Sequence, residues 1–195
     1  MKEVLSFYFF KGFSSHNIFK PKSNILHCTS KYCGKSSNQE RTKKYLENSA
    51  VSLNNGKHFR LLINAFTITH QTIGAQIDIK NSEDMLNLWD NDLDEDQIYE
   101  LSNDILPKRL KKLALDLEPS SRAHLTIGLA QSVSAVQTGY DLLSILSTLK
   151  SDASLATKNL TDTKEYEIIY LENARCYIKL KDPISVNTIF SLGFF

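Results

Sequence analysis

HFRLLINAFTITHQTIGAQIDI, residues 58–79, is the stretch that decides the fold. Its first half crowds together Phe59, Leu61, Leu62, Ile63, Phe66 and Ile68. Such a run of β-branched, aliphatic and aromatic residues suits a buried strand, with a helix over 58–69 as the competing assignment. In the second half Ile73, Ala75, Ile77 and Ile79 alternate with Gly74, Gln76, Asp78 and Lys80. A period of two marks a half-buried strand. Just upstream, Asn54-Asn55-Gly56 is a turn signal, because Asn and Gly tolerate positive φ. Two strands are therefore expected here.

Downstream the pattern turns helical. Asn81 or Ser82 caps a short helix carrying Met85, Leu86, Leu88 and Trp89. Asp94 is the clearest cap: Gln97 stands at N3, and Leu93 and Ile98 occupy the staple positions. Leu106, Leu110, Leu113 and Leu117 then repeat at one helical face until Pro119. A longer helix is expected from Ser120 or Ser121 to about Lys150, on the spacing of Leu125, Leu129, Val133, Val136, Tyr140, Leu143 and Leu146. Gly128 and Gly139 are its weak points. Finally Tyr166, Ile168 and Tyr170, a turn at 172–175, and Cys176, Ile178 and Leu180 read as a hairpin. The expected class is α+β, with helices over about 83–150 packed with an antiparallel sheet. Strands near 58–80 and a C-terminal hairpin at 165–181 build that sheet.

Charge divides the chain. Residues 1–44 hold nine Lys/Arg against Glu3 and Glu40, so this segment is strongly basic although the whole chain carries only +1. The remainder is acidic. Residues 1–48 are read as a poorly ordered basic tail with an aromatic start (Phe7 to Phe19), and 49–195 as one globular domain. Val4–Phe10 is apolar, but Lys11 ends it too early for a secretory signal. Leu125–Leu149 has the length of a membrane span, but Gln131, Gln137 and Asp141 argue against one.

The chemical motifs fail on spacing. Gly34-Lys35-Ser36 resembles the end of a phosphate loop, but Thr29 stands where that loop needs glycine. Asp90, Asp92, Asp94 and Asp96 suggest calcium, yet Glu95 and Leu101 occupy the positions that need Gly and Glu. His16, His27, Cys28 and Cys33 lack the paired spacing of a zinc site. His58, His70 and His124 each lie near apolar runs, where a histidine is more often structural than a base. Cys176 reads as a small core residue. No catalytic residue, cofactor or metal is expected.

Lys108, Arg109, Lys111 and Lys112 form the densest basic cluster of the body, off the leucine stripe and open to a phosphate or a protein partner. The odd count of three cysteines favours reduced thiols. The expected protein is a non-catalytic intracellular interaction or regulatory protein, cytoplasmic, with an organelle or the nucleus as alternative locations. A nucleic-acid-binding protein using the tail and the 108–112 face is the second reading, and an enzyme of unrecognised type the third.

Overall fold

A computed structural model describes residues 19–21, 26–30, 39–79, 82–89, 117, 121, 123–152, 154 and 160–192. Its strands are β1 (Phe19–Pro21), β2 (His58–Ile68), β3 (Thr72–Asp78), β4 (His124–Ala130), β5 (Leu160–Asp162), β6 (Tyr166–Leu171) and β7 (Arg175–Ile189). The helices are α1 (Gln39–Leu46), α2 (Ser49–Asn54), α3 (Glu83–Leu88) and α4 (Val136–Ser151). The seven strands make one sheet in the order β1-β4-β3-β2-β7-β6-β5, every pair antiparallel. The fold is α+β, as the pattern predicts at that level. The helices expected around 94–105 and 106–117 lie outside the described residues, apart from Leu117.

Residues 58–79 form the predicted pair of strands, not a helix. β2 lies between β3 and β7, and Asn64 sits in a bulge between Ile63, which pairs with Ile77, and Ala65, which pairs with Gln76. Across from the same point, β7 jumps from Ile184 to Lys179. Residues 180–183 occupy that gap, and Pro183 is tolerated there because a bulge asks for no ladder N–H. The bulge moves the inward residues of β2 from one face to the other. Leu61 and Ile63 pack with Ala75, Ile77, Ile79, Met85, Ala123 and Leu125. Ala65 packs on the opposite face with Ile145, Ile169, Leu171 and Tyr177.

The two cores recruit different helices. Ser82 caps α3 as expected, its hydroxyl accepting from the Met85 N–H at 3.3 Å, and α3 delivers Met85 and Leu88 to the first core. α4 covers the second, with Leu142, Leu143 and Ile145 all buried. Each such side chain contributes about 1.5–3 kcal/mol on burial.

One expected element divides in two. The helix from 120/121 to 150 is replaced by strand β4, a turn at Gln131-Ser132 and then α4, which starts only at Val136. The spacing of Leu125, Leu129 and Val133 mimics a helix, but Leu125, Ile127 and Leu129 also alternate. Pairing with β3 settles the choice for strand. Ser132 ends the strand with φ 65°, in the left-handed region.

At the other end, the hairpin forms as predicted, turning through Asn173 and Ala174, both at positive φ. β7 then runs on to Ile189, well past the expected limit of 181. Phe19–Pro21 and Cys28, from the segment read as tail, pair along the edge of β4.

Candidate active site

β4 reads His124-Leu125-Thr126-Ile127-Gly128, so Leu125 and Ile127 share one face while His124 and Thr126 share the other. Leu125 belongs to the first core. It also forms an antiparallel bridge with Cys28, which packs against that same core. Cys28 lies between His27 and Thr29. Because paired residues share a face and their neighbours take the opposite one, the bridge sets His27 across from Thr126 and Thr29 across from His124. Two His-x-Thr triplets therefore meet head to tail, with both histidines and both threonines on one surface.

The surface is graded in depth. Thr29 is exposed, His27 and His124 are half-buried, and Thr126 is buried. Thr126 stands across from Gly74 on β3, and His124 across from Gln76. Above Thr126 lies the first turn of α4: the Thr126 hydroxyl is 3.0 Å from that of Thr138. No side chain caps α4 at Ala135. The partial positive charge of a helix start favours anions beside it.

Two groups of polar contacts hold the elements in place. The Ser30 and Tyr45 hydroxyls lie 3.0 Å apart, and Tyr45 donates to the Leu88 carbonyl at 2.8 Å, tying the residue after Thr29 to α1 and α3. On α4, Asp141 Oδ2 accepts from the hydroxyls of Thr69 and Thr72, each at 2.6 Å, and Oδ1 accepts from Gln137 at 2.8 Å. This buried carboxylate locks α4 to the β2–β3 turn.

Cys28, partly buried against the first core, is poorly suited to act as a nucleophile. Burial pushes its thiol up to about 12, outweighing the opposing effect of a hydrogen bond with the His124 backbone. At neutral pH it is a protonated core residue, and the thiolate is the nucleophilic form.

The other described histidines lie elsewhere. His58 is exposed at the start of β2, opposite Ile189, and His70 is exposed in the β2–β3 turn. Cys176 pairs with Ile68. Lys108, Arg109, Lys111 and Lys112 lie outside the described residues, as do His16, Cys33, the Gly34-Lys35-Ser36 triplet and Asp90 to Asp96. Among the described residues no group of three or more His, Cys, Asp or Glu side chains is placed to hold a metal ion. No described helix is long and apolar enough to cross a membrane.

Read singly, His27 is part of an irregular His/Cys series and His124 a histidine on an apolar run. The usable signal was the recurrence of His-x-Thr at 27–29, 70–72 and 124–126, of which the first and last have a thiol or apolar centre and His70-Gln71-Thr72 a polar one.

Paired imidazoles and hydroxyls on one face are groups suited to acid–base chemistry and to holding an anion. The sequence profile of the 2′,3′-cyclic nucleotide 3′-phosphodiesterase (CNP or CNPase) family matches residues 13–195, and the chain belongs to that family. It is 33% identical over 174 residues to the 2′,3′-cyclic-nucleotide 3′-phosphodiesterase of Rattus norvegicus. It is 35% identical over 175 residues to that of Mus musculus and 33% over 175 to that of Pongo abelii. In each case the match covers 88% of this chain and 36% of the relative, so the chain spans about a third of the length of these relatives. Family membership overturns the expectation of a non-catalytic interaction or regulatory protein, which rested on the lack of a familiar motif.

Proposed function

We propose that the paired triplets hydrolyse a 2′,3′-cyclic phosphodiester on a nucleotide, breaking the bond from phosphorus to the 3′ oxygen. The observation that carries this reading is the Cys28–Leu125 bridge, which sets His27-x-Thr29 against His124-x-Thr126. Displacement at phosphorus brings the nucleophile in on one side and sends the leaving oxygen out on the other. Two histidines at opposite ends of a head-to-tail pair suit those two positions. One imidazole takes a proton from water as its oxygen bonds to phosphorus. The other, as imidazolium, gives a proton to the departing 3′ oxygen. The product is a nucleoside 2′-phosphate, and proton exchange with solvent resets both rings.

The threonines suit a different task. Their hydroxyls donate to the non-bridging phosphate oxygens, which carry the negative charge through the transition state. The start of α4 adds its positive end beside Thr126. A general acid and a general base each contribute about 10²–10⁴-fold.

The test is product identity. The chain is incubated with 2′,3′-cyclic AMP and the product resolved by chromatography against 2′-AMP and 3′-AMP. Formation of 2′-AMP alone, abolished in His124→Ala, supports the reading. A mixture of the two isomers, or full activity in His124→Ala, refutes it.

The reading leaves room for a nucleic-acid end as substrate, with Lys108, Arg109, Lys111 and Lys112 contacting phosphates further along the strand. A steep fall of binding with salt supports that contact, and its absence in Lys111→Glu/Lys112→Glu assigns it to those residues. A cytoplasmic location is proposed on the free thiols of Cys28 and Cys176.

A further inference from the structure

We propose that Thr138 and Gly139 of α4 are positioning residues for the His124-Leu125-Thr126 triplet, one directing the threonine proton and the other seating the imidazole. The proposal rests on the phosphodiesterase reading for its activity test and on geometry for its structural one.

Gly139 is fully inside α4, where glycine is about 1 kcal/mol less favourable than alanine. Positive φ does not explain it: among the described glycines only Gly56 takes that conformation. A close approach does. A Cβ at Gly139 would lie 3.0 Å from Cε1 of His124, 3.5 Å from Nδ1 and 3.8 Å from Nε2. The imidazole thus rests its Cε1 edge on the bare backbone of the helix. A methyl group there obliges the ring to shift by a few tenths of an ångström, enough to misalign a proton transfer.

Thr138 acts on the other half of the triplet. It is completely buried, and its Oγ1 lies 3.0 Å from Oγ1 of Thr126. Each hydroxyl has one proton to give. In this structure Thr126 is the donor, to Thr138 Oγ1 and, at 3.4 Å, toward the Ala135 carbonyl. When it gives its proton to a phosphate oxygen instead, the contact survives only if Thr138 becomes the donor. In that exchanged arrangement Thr138 holds the Thr126 oxygen and leaves the Thr126 proton for the phosphate. Its methyl occupies the space that a Cβ on Gly74 would claim, at 2.5 Å, so Gly74 is what lets α4 come this close to β3. Asp141, one turn further on, holds α4 in that register through Thr69 and Thr72.

The experiment uses the full chain and three variants: Gly139→Ala, Thr138→Val and Thr138→Ser. It measures Tm, kcat and KM on 2′,3′-cyclic AMP, and the His124 Cε1–H resonance. Gly139→Ala is expected to keep or raise Tm while kcat falls about tenfold or more. Its His124 resonance is expected to move. Thr138→Val is expected to lose activity and Thr138→Ser to recover most of it. Wild-type kcat with an unmoved His124 resonance in Gly139→Ala overturns the seat, and equal activity of the two Thr138 variants overturns the proton-directing role. If the wild-type chain turns over no substrate, the phosphodiesterase reading fails. The resonance then decides the seat by itself: a shift in Gly139→Ala upholds it and an unmoved signal refutes it.

Discussion

Cys28 stands across from Leu125 in a single antiparallel bridge, and both side chains enter the same apolar core. Everything on the opposite face follows from that pairing. Neither residue does chemistry; together they fix the spacing of four that are suited to it. The arrangement separates the duties of one short segment, with the central position of each triplet serving the core and the outer positions the surface.

Cys28 should therefore be dispensable for the reaction. With its thiol pushed up to about 12, it is protonated at pH 7–8 and therefore a poor nucleophile toward alkylating reagents. Iodoacetamide at pH 8 is expected to leave activity intact in the folded chain. Cys28→Ala should keep kcat within about threefold while losing about 1 kcal/mol of stability from the smaller side chain. Urea denaturation and steady-state rates check the two parts.

The same shifts make stability fall in alkali. Burial raises Cys28 from 9.0 to about 12, Cys176 from 9.0 to about 11 and Tyr177 from 10.0 to about 12. For each group the unfolded chain releases its proton first, so the unfolded state gains as pH rises. Stability from these groups is intact below about pH 9 and lost progressively between about 9 and 12. Urea midpoints at pH 7.5 and 10.5 should differ, and Tyr177→Phe should reduce the difference.

Asp141 is expected to be the costliest polar substitution in α4. Asp141→Ala leaves the donors of Thr69, Thr72 and Gln137 without their acceptor in a buried site. A loss of about 2–4 kcal/mol is expected. Asp141→Asn can still accept from both threonines and should lose less. Thermal melts of the two variants rank them.

Gly74→Ala tests how closely α4 must approach. Its Cβ would fall 2.5 Å from the Thr138 methyl carbon and 3.0 Å from the Thr67 hydroxyl oxygen. Overpacking of this kind costs about 1–3 kcal/mol. Activity should fall further than the loss of folded chain explains, because the start of α4 is displaced from Thr126.

Much of the scaffold was legible in the sequence because it is local. The alternation of Ile73 to Ile79, the Ser82 cap and the turn after Leu171 each report on neighbours within a few residues. Residues 120–150 misled because Leu125, Leu129 and Val133 fit a helical spacing and a strand alternation equally well. Pairing with β3 decides between them, and no local pattern records that partner. The extension of β7 past residue 181 is hidden by Pro183, which reads as a strand breaker until the bulge opposite Asn64 is seen. The site was the least legible part. His27 and His124 lie far apart in the chain, and each is ordinary by itself. Their relation exists only through the Cys28–Leu125 bridge, and the His-x-Thr repeat alone does not single them out, because His70-Gln71-Thr72 also fits it.

The central claim is that the two triplets work as one unit. Rates of 2′,3′-cyclic AMP hydrolysis by wild type, His27→Ala, His124→Ala and the double variant measure this directly. Each single variant should lose about 10²–10⁴-fold in kcat. The double should be scarcely slower than the worse single, since residues acting together are strongly non-additive. A His27→Ala variant with wild-type kcat, or a double variant whose loss is the full product of the two singles, would contradict the account.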